Sequence, residues 1–253
     1  AKNHKDVSVL VKPTQYDSYI EELRNGVISN EYRTKLAFEA FEHTANYDTS
    51  ISNWISKEKE LTRKSFFESY PLIRGLRYGE NPHQKALWYG LNNIGWNAAN
   101  QIQGKELSYN NLLDLESALA TVLEFGYSNK INSAESSSAA VILKHNNPCG
   151  AALSNSTSEA FNKALSCDST SAFGGIVAIN RNIDLDTANY LSEIFLECVV
   201  APSFNKEALE ILKKKKNLRL IQLDPKVMAS KNESTFKSIM GGTLVQDNDN
   251  QNI

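Results

Sequence analysis

The sequence predicts an α/β protein built on a mostly parallel sheet. Two observations carry this. In the second half, short apolar runs at residues 139–144, 176–179, 199–200 and 218–222 alternate with segments of helical periodicity. The runs are near-continuously apolar, as expected of strands covered on both faces.

In chain order, Val7-Ser8-Val9-Leu10-Val11 is β-branched and reads as a short strand. Pro13-Thr14 opens a helix to Leu23, which Asn25-Gly26 stops. Ser29 caps a second helix whose apolar residues Leu36, Phe38, Phe41 and Ile51 recur at helical spacing and predict one buried face. Residues 56–64 are polar, with Lys57-Glu58-Lys59-Glu60, and read as a linker. A new unit begins near Phe66. Residues 76–84 are turn-rich, 104–111 form a polar loop before a helix over 112–125, and Ser136-Ser137-Ser138 is a small polar loop. Helices are expected over 187–196 and 206–214.

The chain has 253 residues and a formal net charge of −2, from 27 basic and 29 acidic side chains. No broad basic field is present to neutralise a nucleic-acid backbone. The run Lys213-Lys214-Lys215-Lys216 reads as a solvated helix end, where cations complement the helix dipole. The apolar runs fall far short of the about 20 residues a membrane helix needs, so no bilayer crossing is expected. Three cysteines, Cys149, Cys167 and Cys198, lack the spacing of a disulfide framework and fit a reducing cytoplasm. The chain opens Ala1-Lys2-Asn3-His4 without methionine and reads as a piece of a longer protein.

The stretch Lys144-His145-Asn146-Asn147-Pro148-Cys149-Gly150 ends a buried strand in an ammonium, an imidazole, two amides and a Pro-x-Gly turn. Ligands of α/β sheets collect beyond the carboxyl ends of strands. Neighbours on a regular strand point to opposite faces, so Lys144 and His145 can serve one substrate only where the backbone leaves the strand; Pro148 and Gly150 are expected to allow this. An imidazole there suits proton transfer and an ammonium suits charge stabilisation. The alternative is a loop histidine bonded to its own turn. A zinc deaminase site would need His-x-Glu and Pro-Cys-x-x-Cys. No His-x-Glu occurs, and Ala152 stands where the second cysteine belongs, so no metal site of that kind is expected. Cys149 beside His145 has the makings of a nucleophile pair, but a lone cysteine after proline is more often a small packed residue. Arg77-Tyr78 offers paired guanidinium donors and a hydroxyl to a phosphate, or a structural pairing with a carboxylate. Ser171-Ala172-Phe173-Gly174-Gly175 brings two glycines to the start of a strand, where backbone can approach a ligand.

Together these segments resemble one family. Residues 76–84 (Leu-Arg-Tyr-Gly-Glu-Asn-Pro-His-Gln), 104–111 with Asp114, 144–150, 171–175 and 199–202 occur in the order and at the separations found in the bifunctional purine-biosynthesis enzymes. Those enzymes join aminoimidazole carboxamide ribonucleotide (AICAR) formyltransferase to inosine monophosphate (IMP) cyclohydrolase. The resemblance covers essentially the whole chain. It implies the C-terminal part of a three-layer cyclohydrolase domain over residues 1–60. A cytidine-deaminase-like α/β subdomain without zinc, the N-terminal part of the formyltransferase, would follow over 66–253. It further implies that His145 is a general base, that Lys144 stabilises charge, and that Arg77, Tyr78, Gly174 and Glu197 bind the nucleotide. Lys2 would assist ring closure in the cyclohydrolase. The implied co-substrate is 10-formyltetrahydrofolate, with AICAR, formyl-AICAR and IMP as the nucleotides, and the implied assembly is a cytoplasmic homodimer.

Overall fold

The structure is a computed structural model that describes residues 1–127, 137–228 and 234–249. The chain divides into two compact units, Ala1–Tyr70 and Pro71–Ile253.

In the first unit a 3-10 turn at Pro13–Gln15 leads into α1 (Tyr16–Arg24), and Gly26 at φ 92° follows its end. The Ser29 hydroxyl accepts the Tyr32 N–H and starts α2 (Asn30–Glu58), as its position predicts. Three expectations fail here. Residues 7–11 form no strand, because no neighbouring chain pairs with them in the unit. The stretch 56–64 is in part the last turn of α2, which runs to Glu58. Finally, α2 buries Leu36, Ala37 and Ala40, whereas Phe38, Phe41 and Ile51 are exposed. Its apolar pattern is therefore wider than the stripe this unit covers.

The second unit opens with an antiparallel pair, β1 (Leu72–Leu76) and β2 (Ala86–Tyr89), joined through the 76–84 turn region. Then come β3 (Asn100–Gln103), α3 (Tyr109–Leu123), β4 (Ser138–Lys144), β5 (Asn147–Ser154), α4 (Thr157–Cys167) and the short α5 (Ser169–Ala172). The chain continues through β6 (Ile176–Ile179), α6 (Leu185–Glu193), β7 (Cys198–Ala201), α7 (Lys206–Leu212) and β8 (Arg219–Gln222). A hairpin of β9 (Ser234–Ile239) and β10 (Gly242–Asp247) stands as its own two-stranded sheet. Ser138 is the first residue of β4 rather than loop, and Ser136 lies outside the described residues.

Six strands form the central sheet in the order β3-β8-β7-β6-β4-β5. Only β6–β7 and β7–β8 are parallel pairs; β3–β8, β4–β6 and β4–β5 are antiparallel. The sheet is thus mixed, not mostly parallel. The βαβ reading holds for β6-α6-β7-α7-β8, where a helix of a few turns carries the chain back each time. It fails at β4–β5, which is a hairpin.

Strand residues alternate between two cores. Ala140, Ile142, Val177, Ile179, Val199 and Leu220 pack with Ala160, Phe161 and Ala164 of α4, Leu191 of α6 and Leu212 of α7. Ala139, Val141, Ile176, Ala178, Cys198, Val200 and Ile221 pack with Leu115, Ala118, Leu119 and Val122 of α3. Helices on both faces explain why the strands read as unbroken apolar runs.

Candidate active site

The register places several chain ends along one edge of the central sheet. Leu143 pairs with Ile176, Ile176 with Cys198 and Cys198 with Arg219, while Gln103 pairs with Leu220. The carboxyl ends of β3 and β4 therefore meet the amino ends of β6, β7 and β8. This corrects the expectation of a site at the carboxyl ends of parallel strands: only the antiparallel members end there.

β4 delivers Lys144, half-buried, to this edge, where its Nζ donates to the Phe173 carbonyl at 2.7 Å. The chain then reverses through His145 and Asn146, at φ 53° and 58°. A two-residue hairpin loop with both residues left-handed matches the twist of the flanking strands. The backbone thus leaves the strand at His145 itself. The Pro-x-Gly segment makes no turn. Pro148 and Gly150 lie within β5, an edge strand, and Cys149 is the extra residue of a bulge between the Leu143–Pro148 and Ile142–Gly150 pairs. An edge strand with a bulge is where a sheet tolerates proline. Gly150 is required for contact instead: a Cβ there would sit 2.0 Å from the Ala164 carbonyl oxygen of α4.

The His145–Asn146 turn is fastened to α3. The Asn146 N–H donates to Asp114 Oδ1 at 2.7 Å, and Asn147 Nδ2 donates to the His145 carbonyl at 2.8 Å. The His145 side chain is exposed.

Next along the edge, Gly174 adopts φ 76° and donates its N–H to the Phe195 carbonyl at 2.8 Å. A Cβ on Gly174 would lie 3.9 Å from Lys144 Nζ, so the glycine keeps open backbone beside the ammonium. The Phe173 and Phe195 rings lie 5.3 Å apart on this edge. Glu197 precedes β7, its N–H bonded to the Gly175 carbonyl, and its Oε2 accepts Arg219 Nη1 at 2.7 Å. Arg219, only 13 % exposed, also donates Nε to the Lys105 carbonyl at 3.1 Å. Gly104 at φ 96° permits this approach, since a Cβ there would lie 2.8 Å from Arg219 Cα.

Arg77 and Tyr78 follow β1. Arg77 Nη2 donates to the Tyr78 hydroxyl at 2.8 Å, and the guanidinium carbon lies 4.6 Å from the Tyr78 ring centroid. Arg77 is exposed and meets no carboxylate among the described residues. The turn after it reaches α3 through Asn110 Nδ2, which donates to the Glu80 carbonyl. No hydrogen bond ties Arg77 or Tyr78 to Lys144, Gly174 or Glu197. Lys2 lies in an exposed turn of the first unit.

Of the two readings of Cys149, the electrostatics favour the packed residue. Burial pushes its thiol above the ordinary range and Asp168 pushes the same way, against the opposing pull of Lys144. A thiol so placed is a poor nucleophile. Burial holds Cys198 up at about 12. Hydrogen bonds from the Ser171 hydroxyl and N–H hold the Asp168 carboxyl below the usual range. Among the described residues no group of three or more His, Cys, Asp or Glu side chains is placed to hold a metal ion. No described helix is long and apolar enough to cross a membrane.

Asn146 and Asp114 are readable from the sequence only as motif members, and Ser117 is not readable as a site residue. Arg219 carries one signal in the sequence: it is a cation inside the apolar run Leu218-Arg219-Leu220-Ile221, and a cation buried there needs a partner.

An ammonium, an imidazole and a guanidinium–carboxylate pair thus lie among the strand ends on one side of this α/β sheet. The chain belongs to the AICARFT/IMPCHase bienzyme family, whose model matches residues 1–253. The bifunctional purine biosynthesis protein PurH of Prochlorococcus marinus strain MIT 9515 is 68 % identical over 251 residues, covering 99 % of this chain and 48 % of that protein. The PurH of strain MIT 9301 is 66 % identical over 249 residues, covering 98 % of this chain and 48 % of that protein. The chain thus spans about half the length of the curated relatives it matches. Among solved structures, Acinetobacter baumannii RibD aligns with 42 % of this chain and 33 % of its own at 17 % identity and a TM-score of 0.32, too slight a likeness to bear on the fold.

Proposed function

We propose that this chain is part of a bifunctional enzyme of de novo purine biosynthesis, and that its second unit carries half of an AICAR formyltransferase site. The observation that supports this best is the end of β4, between the β4–β5 turn and the entry to β6. There the Lys144 ammonium lies beside the open backbone of Gly174, and the exposed imidazole of His145 follows on a turn that leaves the strand.

The reaction transfers the formyl group of 10-formyltetrahydrofolate to the 5-amino group of AICAR. That amine is conjugated to the ring and its carboxamide and is a weak nucleophile. His145 removes its proton as the new N–C bond forms at the formyl carbon, a role worth about 10²–10⁴-fold. Lys144 stabilises the charge that develops on the formyl oxygen. The bond to the folate nitrogen then breaks, and that nitrogen leaves protonated. Arg77 and Tyr78 bind the nucleotide about its phosphate, Gly174 brings backbone to the base or sugar, and Glu197 contacts AICAR. In the whole protein, formyl-AICAR closes to IMP at a cyclohydrolase site to which residues 1–60 contribute Lys2. Residues 66–253 belong to the deaminase-like formyltransferase architecture, and the whole protein works as a cytoplasmic homodimer.

In the full-length protein, His145→Ala is expected to abolish formyl transfer while leaving AICAR binding largely in place. Wild-type turnover by that variant rejects the base assignment. A second reading is favoured by the span of the chain, about half of its relatives: by itself it binds nucleotide without turnover. Calorimetric titration of the chain with AICAR, followed by a formyl-transfer assay on the same sample, tests this second reading, which turnover by the isolated chain, or no AICAR binding, overturns.

A further inference from the structure

We infer that Asp114 is a positioning residue for formyl transfer, acting through a clamp that α3 closes on the His145–Asn146 turn; this rests on the reading of His145 as the general base. Two consecutive non-glycine residues at positive φ are costly, and such strain persists only where the surroundings over-determine it. The surroundings here are the solvent-facing side of α3. Asp114 Oδ1 takes the Asn146 N–H at 2.7 Å, a charge-assisted bond to the second left-handed residue. The Asn146 side chain docks on the same turn of helix. The Ser117 hydroxyl lies 3.0 Å from its amide head, and with the amide nitrogen in place of the oxygen toward α3 that nitrogen would donate to Ser117 Oγ, to the Leu113 carbonyl at 3.1 Å and to Asp114 Oδ1 at 3.2 Å.

Ser117 lies three residues after Asp114 and four after Leu113, so the Asp114 and Ser117 side chains and the Leu113 carbonyl fall on one turn of α3. The inner face of the same helix is fixed in the core by Leu115, Ala118, Leu119 and Val122. The clamp is therefore anchored to the sheet that also carries Lys144. Its consequence is local. Losing it releases the backbone that sets the position of His145, while Arg77, Tyr78 and Glu197 lie on other elements and keep their places.

Steady-state kinetics on the full-length protein test this. Asp114→Ala is expected to lower kcat for formyl transfer about ten- to a hundredfold, the scale of a mispositioned general base, with KM for AICAR within about twofold. Asp114→Asn, whose amide oxygen still accepts the Asn146 N–H, should recover most of the lost rate. Asn146→Ala keeps the bond to Asp114 but loses the side-chain bonds, and should lower kcat about three- to tenfold with KM unchanged. Wild-type kcat in Asp114→Ala, or kcat and KM failing together without rescue by asparagine, overturns the inference. Should Asp114→Ala not fold, wild-type kcat in Asn146→Ala overturns it. The underlying assignment fails separately: an active His145→Ala removes the general base whatever the clamp variants do.

Discussion

Lys144 and His145 are neighbours in sequence, and a regular strand would aim them at opposite faces of the sheet. The left-handed backbone at His145 breaks that alternation within one residue of the strand's end. The need for such a departure was legible in the sequence, and its means was not. His-Asn is not one of the glycine-containing pairs that announce a tight hairpin, so Pro148 and Gly150 drew the turn instead. The companion residues were hidden for a different reason. Asp114 and Arg219 act across 32 and 22 residues of sequence, on Asn146 and Glu197, and no local pattern encodes such pairings. Cys198 yields a prediction at this scale. Its thiol is held at about 12 in the fold, against an ordinary value of 9.0. Between those values the unfolded chain has lost a proton that the folded chain keeps. Stability therefore falls as pH rises from 9 toward 12, and the contribution is intact below 9. Urea midpoints measured from pH 8 to 10.5 should decline less steeply in Cys198→Ala than in the parent.

At the scale of elements, the apolar runs of β4, β6, β7 and β8 were readable because helices cover both faces of the sheet. Their directions were not readable, since burial is blind to whether a neighbour runs parallel or antiparallel. The segment 7–11 shows the converse: strand propensity without a partner strand makes no strand. Of the glycines, Gly150 is the one where an added Cβ would meet another atom most closely. The oxygen its Cβ would strike belongs to the backbone of α4, which no rotamer change can move. Gly150→Ala must push β5 away from α4 and is expected to cost about 3 kcal/mol, the upper range of overpacking, measured as a fall in urea midpoint at unchanged m-value. A smaller loss is expected at the start of α6. There Asp184 Oδ1 accepts both the N–H and the hydroxyl of Thr187, whose hydroxyl meets that of Thr157 in a buried pair. Asp184→Ala should cost about 1–2 kcal/mol, as loss of a strong cap does.

At the scale of the whole chain, the two compact units differ in how much core each possesses. The hydrophobic residues buried in Ala1–Tyr70 are Ile28, Leu36, Ala37 and Ala40, two of them alanines. The second unit buries apolar side chains on both faces of a six-stranded sheet, including Phe161, Leu115, Ile142, Leu191 and Leu212, all below 2 % exposure. Each fully buried aliphatic or aromatic side chain contributes about 1.5–3 kcal/mol, so the first unit has far less to set against the entropy of ordering some seventy residues. The chain is therefore expected to unfold in two steps. Calorimetry should resolve a weaker transition at lower temperature that belongs to the first unit. Trypsin in the interval between the transitions should degrade residues before Pro71 and spare the sheet-bearing remainder, because local opening follows the poorer core. One sharp transition, with both units cleaved at the same rate, would show that they fold as a single cooperative body and that burial within each unit does not govern its stability.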